Sequence, residues 1–116
     1  MDRRKELKEF YKNIKKEMGI FIIRSNFSNK CFIQETMDLK SLINRTRFSL
    51  DFGNYPVQEL QKDWKEYGKE NFVIEVLDNL SYDKDESKTD YSEELAILKM
   101  TWEEKLSKEG MEFYIK

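Results

Sequence analysis

Residues 19–34 read GIFIIRSNFSNKCFIQ, and this stretch decides the fold. It opens with Gly19 and a run of β-branched and aromatic residues from Ile20 to Ile23, a composition typical of strands. A polar segment at 25–30 follows, and Cys31 begins a second short apolar run. Two such runs joined by a polar turn predict a β-hairpin.

Apolar spacing on both sides of the hairpin predicts four helices and a third strand. The first helix covers residues 2–17, where apolar residues form one helical stripe. After the hairpin, Asp38 is placed to cap a helix that ends near Leu50. Gly53 to Pro56 then break the chain, and Pro56 suits the first turn of a helix that ends at Gly68. A strand at 72–77, an acidic loop at 78–90 and a helix at 91–106 complete the order.

This order, α-β-β-α-α-β-α, predicts an α+β fold with a three-stranded antiparallel sheet flanked by helices. A chain of 116 residues has the size of one domain. We therefore expect a single domain over 1–116, with the N-terminal helix at 2–17, the core at 19–107 and a tail at 108–116.

The composition limits which cellular compartment and which partners we expect for this protein. No apolar run reaches the roughly 18 residues of a membrane span, and the charged N-terminus has no apolar signal segment. Cys31, the single cysteine, cannot form an internal disulfide. We therefore expect a cytoplasmic protein that does not bind membranes.

Several short motifs, taken together in this order, resemble the GIY-YIG nuclease family. Residues 19–21 stand where the family has GIY, and residues 32–34 stand where it has YIG. The similarity continues through 44–48, 60–64, 67–68, 72–77 and 102–106, so it covers nearly the whole chain. The opening residues resemble those of short bacterial stand-alone members. The resemblance implies a GIY-YIG-like fold, which in the family carries metal-dependent hydrolysis of phosphodiester bonds.

The positions that the resemblance assigns to catalysis carry other residues. Phe21 and Phe32 replace two tyrosines, Leu42 an arginine, Thr46 and Tyr55 two histidines, and Lys99 a metal-binding glutamate. A phenyl ring cannot relay a proton, and a lysine repels a divalent cation. The chain also has no histidine, the commonest general base near neutral pH. A shifted alignment places Arg45 or Arg47 at the arginine position but restores none of the other groups.

These replacements predict a protein that is not an enzyme and that needs no metal or other cofactor. Basic residues near the former cleft predict a groove that binds the phosphates of DNA or RNA. The alternative is that these side chains face solvent or pair with Asp51 or Glu35. The groove residues are Arg24, Lys40, Arg45, Arg47 and Lys99.

Two functions are therefore compatible with the sequence. The first is a catalytically inactive nucleic-acid-binding or regulatory module, to which Phe52, Tyr55 and Tyr67 could add surface for base stacking unless they belong to the core. The second is a protein–protein interaction module with no nucleic-acid role, docking a partner through the acidic loop or the N-terminal helix. The net charge of −2 argues against strong non-specific binding to DNA.

Overall fold

The computed structural model describes residues 15–115. Most of the predicted N-terminal helix therefore lies outside the described residues, and its last three residues, 15–17, are not helical. The helices and strands are β1 Met18–Ser25, β2 Lys30–Thr36, α1 Leu39–Phe52, α2 Gln58–Tyr67, a short 3-10 helix Lys69–Asn71, β3 Phe72–Leu80, α3 Ser92–Lys108 and β4 Glu112–Phe113. No helix of this part of the chain combines the length and the apolar character needed to span a membrane.

The sheet has four strands in the order β3-β1-β2-β4. Strand β1 pairs antiparallel with both β2 and β3, which confirms the predicted hairpin and the position of the third strand. Strand β4 pairs parallel with β2, so the expected three-stranded antiparallel sheet is corrected to a four-stranded mixed sheet. A strand of two residues is too short to leave an alternating pattern, which is why the sequence did not predict it.

The segment after α3 belongs to the domain and is not a tail. Gly110 adopts a positive φ of 89°, which turns the chain back towards β2. The Asn29 side chain donates a hydrogen bond to the Gly110 carbonyl oxygen, and the Tyr114 backbone N–H donates one to the Cys31 carbonyl oxygen. Tyr114 itself is buried in the core. The described residues of the predicted tail therefore pack against the rest of the domain.

Side chains of β1 alternate between the two faces of the sheet, as the pleat requires. Phe21 and Ile23 pack beneath α1 and α2, on what we call the α1–α2 face. Ile20 and Ile22 pack beneath α3, on the α3 face. Because helices cover both faces, β1 is buried on both sides, which explains its unbroken apolar run.

Gly19 is required by the close approach of β3. The pairing of β1 with β3 is irregular between Ile20 and Phe21, where β3 has an extra residue. A Cβ atom at Gly19 would lie 2.1 Å from the Asp78 carbonyl oxygen, which leaves no room for a side chain.

Two predicted boundaries differ from the structure. Pro56 lies before α2 and not in its first turn, because the helix begins at Gln58 after the buried cap residue Val57. Strand β3 continues to Leu80, since its last residues pair with the start of β1. The acidic loop therefore begins at residue 81.

Candidate functional site

Five of the six positions that the resemblance assigns to catalysis lie together on the α1–α2 face. Phe21 is fully buried and Phe32 nearly so, and half-buried Leu42 and Tyr55 pack against the same core cluster. The rings of Phe32 and Tyr55 meet edge to face, with centroids 6.5 Å apart. Thr46, which is also buried, lies on the inner side of α1. The structure thus brings four of these side chains into or against one apolar cluster, and Thr46 is buried on the inner side of α1.

The phenol of Tyr55 is the ionisable group of this cluster. Burial raises its pKa, and a hydrogen bond with the Thr46 side chain partly offsets that rise. The phenol is therefore protonated at neutral pH, and a protonated phenol is a poor base. Its ring meets the ring of Phe32 edge to face.

Lys99 lies apart from the other five, on the α3 face. Its Nζ atom is 3.5 Å from Oε2 of Glu35, and both side chains are about one-third exposed. Glu35 follows Ile33 by two positions in β2, so its side chain points to the same face as Ile33. The other carboxylate oxygen, Oε1, accepts a hydrogen bond of 2.8 Å from the Gln34 side chain. The Glu35 carboxylate thus holds the Lys99 side chain on the α3 face, whereas the aromatic cluster lies on the α1–α2 face.

The structure divides the five predicted nucleic-acid-binding residues into two groups. Arg24 and Lys99 lie on the α3 face, where Glu75 is 3.5 Å from Arg24 and Glu35 is 3.5 Å from Lys99. Lys40, Arg45 and Arg47 are exposed on α1, over the opposite face of the sheet. The five therefore do not line one groove. Their role in binding stays a prediction, and α1 carries the three exposed members.

The exposed surface of α1 has two edges. One edge faces β3, where the Arg47 guanidinium lies 3.4 Å from the Ile74 carbonyl oxygen, a long contact. The other edge carries Arg45, Phe48 and Phe52, which follow one another at helical spacing. The rings of Phe48 and Phe52 are 68% and 73% exposed and are stacked, with centroids 5.6 Å apart. This edge therefore combines a positive charge with two open aromatic rings.

Only one of the three predicted stacking residues is open in this way. Phe52 has an exposed ring. By contrast, half-buried Tyr55 packs on the core, and the ring of Tyr67 is stacked on the ring of Phe27, with centroids 4.0 Å apart. Phe48 was not among the predicted stacking residues. The available signal was that Phe48 lies outside the apolar stripe of α1, on the same side as Arg45.

A groove of about 700 Å³ opens next to Phe52, between the end of α1 and α2. The loop that joins the two helices forms its floor, with Tyr55 in the wall. The Gln61 side chain ties this loop to α1, because it accepts a hydrogen bond from the Tyr55 N–H and donates one to the Leu50 carbonyl oxygen. Lys62 and Lys65 of α2 also line the groove.

Comparison with solved structures finds the same architecture in a homing endonuclease. The catalytic domain of the homing endonuclease I-TevI is 19% identical and superimposes with a TM-score of 0.65, over 85% of this chain and 99% of that chain. A single-residue variant of the same catalytic domain gives a TM-score of 0.63 at 19% identity, over 78% of this chain and 84% of that chain. The chain has a GIY-YIG-like fold.

This likeness concerns the fold alone, because the identity is too low to carry function. No protein-family model matches the sequence, and no curated protein matches it. The catalytic chemistry of this chain therefore has to be argued from its own residues.

Proposed function

We propose that this chain is a catalytically inactive GIY-YIG-like domain that binds nucleic acid without cleaving it. One observation carries the proposal. Of the six positions that the resemblance assigns to catalysis, four carry residues packed in or against one apolar cluster, Thr46 is buried on α1, and Lys99 lies 3.5 Å from a carboxylate on the opposite face of the sheet.

The chemistry of these residues supports the loss of cleavage. Hydrolysis of a phosphodiester needs a group that activates water, a cation near the developing charge and a carboxylate for a metal ion. Phe21, Phe32 and Leu42 supply none of these, and Lys99 brings a positive charge to the position of a metal ligand. Losing one such group typically costs about two to three orders of magnitude in rate. Losing all of them leaves no route to hydrolysis.

Binding is proposed for the outer surface of α1. Lys40, Arg45 and Arg47 are exposed there, and the described residues supply no carboxylate within salt-bridge distance of them. Unpaired guanidinium and ammonium groups bind phosphates and release counterions from the nucleic acid. The relation to a homing endonuclease fold is consistent with this surface but does not specify its ligand.

A second candidate is a protein–protein interaction module with no nucleic-acid role. The observation that favours it lies on α3, where Ile97 and Met100 are 57% and 67% exposed. Glu103 and Glu104 stand beside them. An exposed apolar patch with acidic neighbours suits a protein surface and repels phosphates.

The two candidates differ in their response to salt. Labelled single- and double-stranded DNA and RNA are mixed with the pure chain, with Mg²⁺ or Mn²⁺, and both affinity and cleavage are measured over a salt series. The proposal expects binding that weakens steeply as salt rises, with intact nucleic acid throughout. Cleavage that copurifies with the chain, at a rate proportional to its concentration, would contradict the inactive site.

A charge-reversal pair locates the surface. Arg45→Glu with Arg47→Glu is expected to weaken binding to all sequences and to reduce the salt slope by roughly two. Lys105→Glu with Lys108→Glu on α3 makes the same change in net charge and is the matched control. Equal losses in the two variants would mean that net charge, and not the α1 surface, drives binding.

A further inference from the structure

We propose that Phe48 and Phe52, with the groove beside them, bind unpaired bases, so that the preferred ligand is single-stranded nucleic acid. This inference rests on the proposed function, because it names the class of nucleic acid that the α1 surface takes. It adds the aromatic pair and the α2 lysines to the basic residues already considered.

The two rings have no packing role that explains them. Phe48 and Phe52 are 68% and 73% exposed, and both lie on the side of α1 that points away from the core. They contact each other as a stacked pair, with an interplanar angle of 19°. An open aromatic face binds a base by stacking, and this contact accepts every base because each has a π-face. Paired bases in a duplex are already stacked and are not available in this way.

The groove continues from the second ring. Phe52 forms one end of it, and its volume of about 700 Å³ lies within the usual range of small-molecule pockets. Tyr55 and Gln58 add a half-buried ring and an exposed amide to the lining. A base that leaves the Phe48–Phe52 stack can therefore enter a recess that offers both an apolar wall and hydrogen-bonding groups.

The basic side chains of α2 are placed to favour an anionic ligand in the groove. Lys62 and Lys65 face the groove. Two of the three acidic residues of the same helix are engaged elsewhere, since Glu59 pairs with Lys30 and Asp63 accepts a hydrogen bond from Tyr114, and the third, Glu66, is exposed. The groove is thus lined by two lysines of α2, while Glu59 and Asp63 contact β2 and the segment after β4.

One carboxylate also lines the groove, and a hydrogen bond fixes its position without cancelling its charge. Among the described residues that line the groove, the acidic one is Asp51. Its Oδ1 atom accepts a hydrogen bond of 3.0 Å from the Trp64 indole N–H. A groove with aromatic rings and lysines fits the combination that single-strand binding uses, in which charge follows the backbone and rings hold the bases.

The α3 patch of Ile97 and Met100 makes a matched control, because it is equally exposed but has glutamates beside it. Anisotropy is measured with a labelled thymine oligonucleotide, with a duplex of the same length, and with heparin, a polyanion without bases, as competitor. The full chain is used in every case. The test variant is Phe48→Ala with Phe52→Ala, and the control variant is Ile97→Ala with Met100→Ala.

The test variant is expected to lose about tenfold or more in affinity for the single strand, because stacking is worth about 1–3 kcal/mol per base. Its affinities for the duplex and for heparin, which depend on charge, are expected to stay unchanged within error. Phe48→Trp with Phe52→Trp should retain single-strand binding, whereas Phe48→Leu with Phe52→Leu should lose it. The control variant should match the wild type on all three ligands.

The outcomes separate this inference from the proposed function. If the wild type binds duplex and single strand equally, and alanine at both positions changes neither, the stacking inference is overturned and nucleic-acid binding stands. If the wild type binds none of the three ligands, both fail. If the leucine variant binds like the wild type, the contact is apolar and not stacking. If alanine abolishes self-association in sedimentation but not single-strand binding, the rings form an interface between copies of the chain.

Discussion

Basic residues that lie on the faces of the sheet differ from the exposed basic residues of α1 in their partners. On the α3 face, Arg24 and Lys99 each lie 3.5 Å from a glutamate. On the α1–α2 face, Lys30 likewise pairs with Glu59, whereas Lys40, Arg45 and Arg47 are exposed on α1, and the described residues supply no carboxylate within salt-bridge distance of them. This difference indicates that the charge of a basic residue is available to a ligand where no neighbouring strand or helix supplies a carboxylate to pair with it.

The cores beneath the two faces differ as well. The α1–α2 face buries Phe21, Phe32, Trp64 and Phe72 in one cluster, whereas the α3 face buries mainly isoleucine together with Cys31 and Leu106. The positions that would carry chemistry in the resembling family therefore fall in the more aromatic core. Four measurements test this contrast, beginning with the largest expected effect.

Removing a ring from the α1–α2 face should lower the free energy of unfolding far more than removing a methyl group from the α3 face. Phe32→Ala is expected to lower the free energy of unfolding by about 3–5 kcal/mol, because a buried ring is deleted and a cavity remains. Ile33→Val, its neighbour on the α3 face, is expected to cost about 0.5–1.5 kcal/mol. Urea unfolding measures both. Similar losses would mean that Phe32 is not part of a tightly packed cluster.

Stability at alkaline pH should depend on the α3 face through Cys31. Burial raises the pKa of the Cys31 thiol to about 11, so the folded state retains this proton at a pH where the unfolded state has lost it. The contribution is fully present below the ordinary thiol pKa and is lost as the pH rises from about 9 to about 11, by roughly 2–3 kcal/mol.

The measurement is the free energy of unfolding from pH 8 to pH 11 for the wild type and for Cys31→Ala. Lysines and tyrosines titrate in both proteins and cancel in the difference. The gap between the two proteins is expected to narrow as the pH rises, since only the wild type loses the thiol contribution. Curves that stay parallel would show that the thiol is not protected from ionisation.

The segment after β4 should stabilise the α1–α2 face. Tyr114 is buried, and its hydroxyl donates a 2.8 Å hydrogen bond to Oδ2 of Asp63. Burial and the adjacent Asp63 raise the pKa of the phenol, which therefore keeps its proton at neutral pH. Tyr114→Phe is expected to cost about 1–3 kcal/mol, because a half-buried carboxylate loses a donor. Tyr67→Phe, on an exposed tyrosine, serves as the control in the same urea titration and should change little.

The smallest effect is expected for the ion pair on the α3 face. Lys99→Met should lower stability by less than about 1 kcal/mol, because both partners are partly exposed and the pair is screened by solvent and salt. The loss should shrink further in high salt. A double-mutant cycle with Glu35→Gln measures the coupling. A coupling of several kcal/mol would show that Lys99 and Glu35 form a rigid buried pair.

Much of the fold followed from local pattern. Apolar spacing predicted the hairpin and all three helices of the described part, because periods near two and near 3.6 are properties of the backbone itself. The order of the short motifs from Gly19 onwards indicated a GIY-YIG-like fold, and comparison of the structures supports that fold. The resemblance also assigned catalytic positions, which are counted from its motifs, and the loss of catalysis at these positions stays a prediction.

What tertiary structure decided is which of these side chains meet. Spacing could not reveal that Lys99 would lie on the opposite face of the sheet from Phe21, since that depends on how α3 packs. It could not reveal β4 or the burial of Tyr114, because a two-residue strand is fixed by contacts distant in sequence. Likewise, Phe48 and Phe52 became a candidate surface only when α1 was seen to pack by its other side. Local residues determine periodicity, whereas exposure and pairing are set by the packing of distant segments.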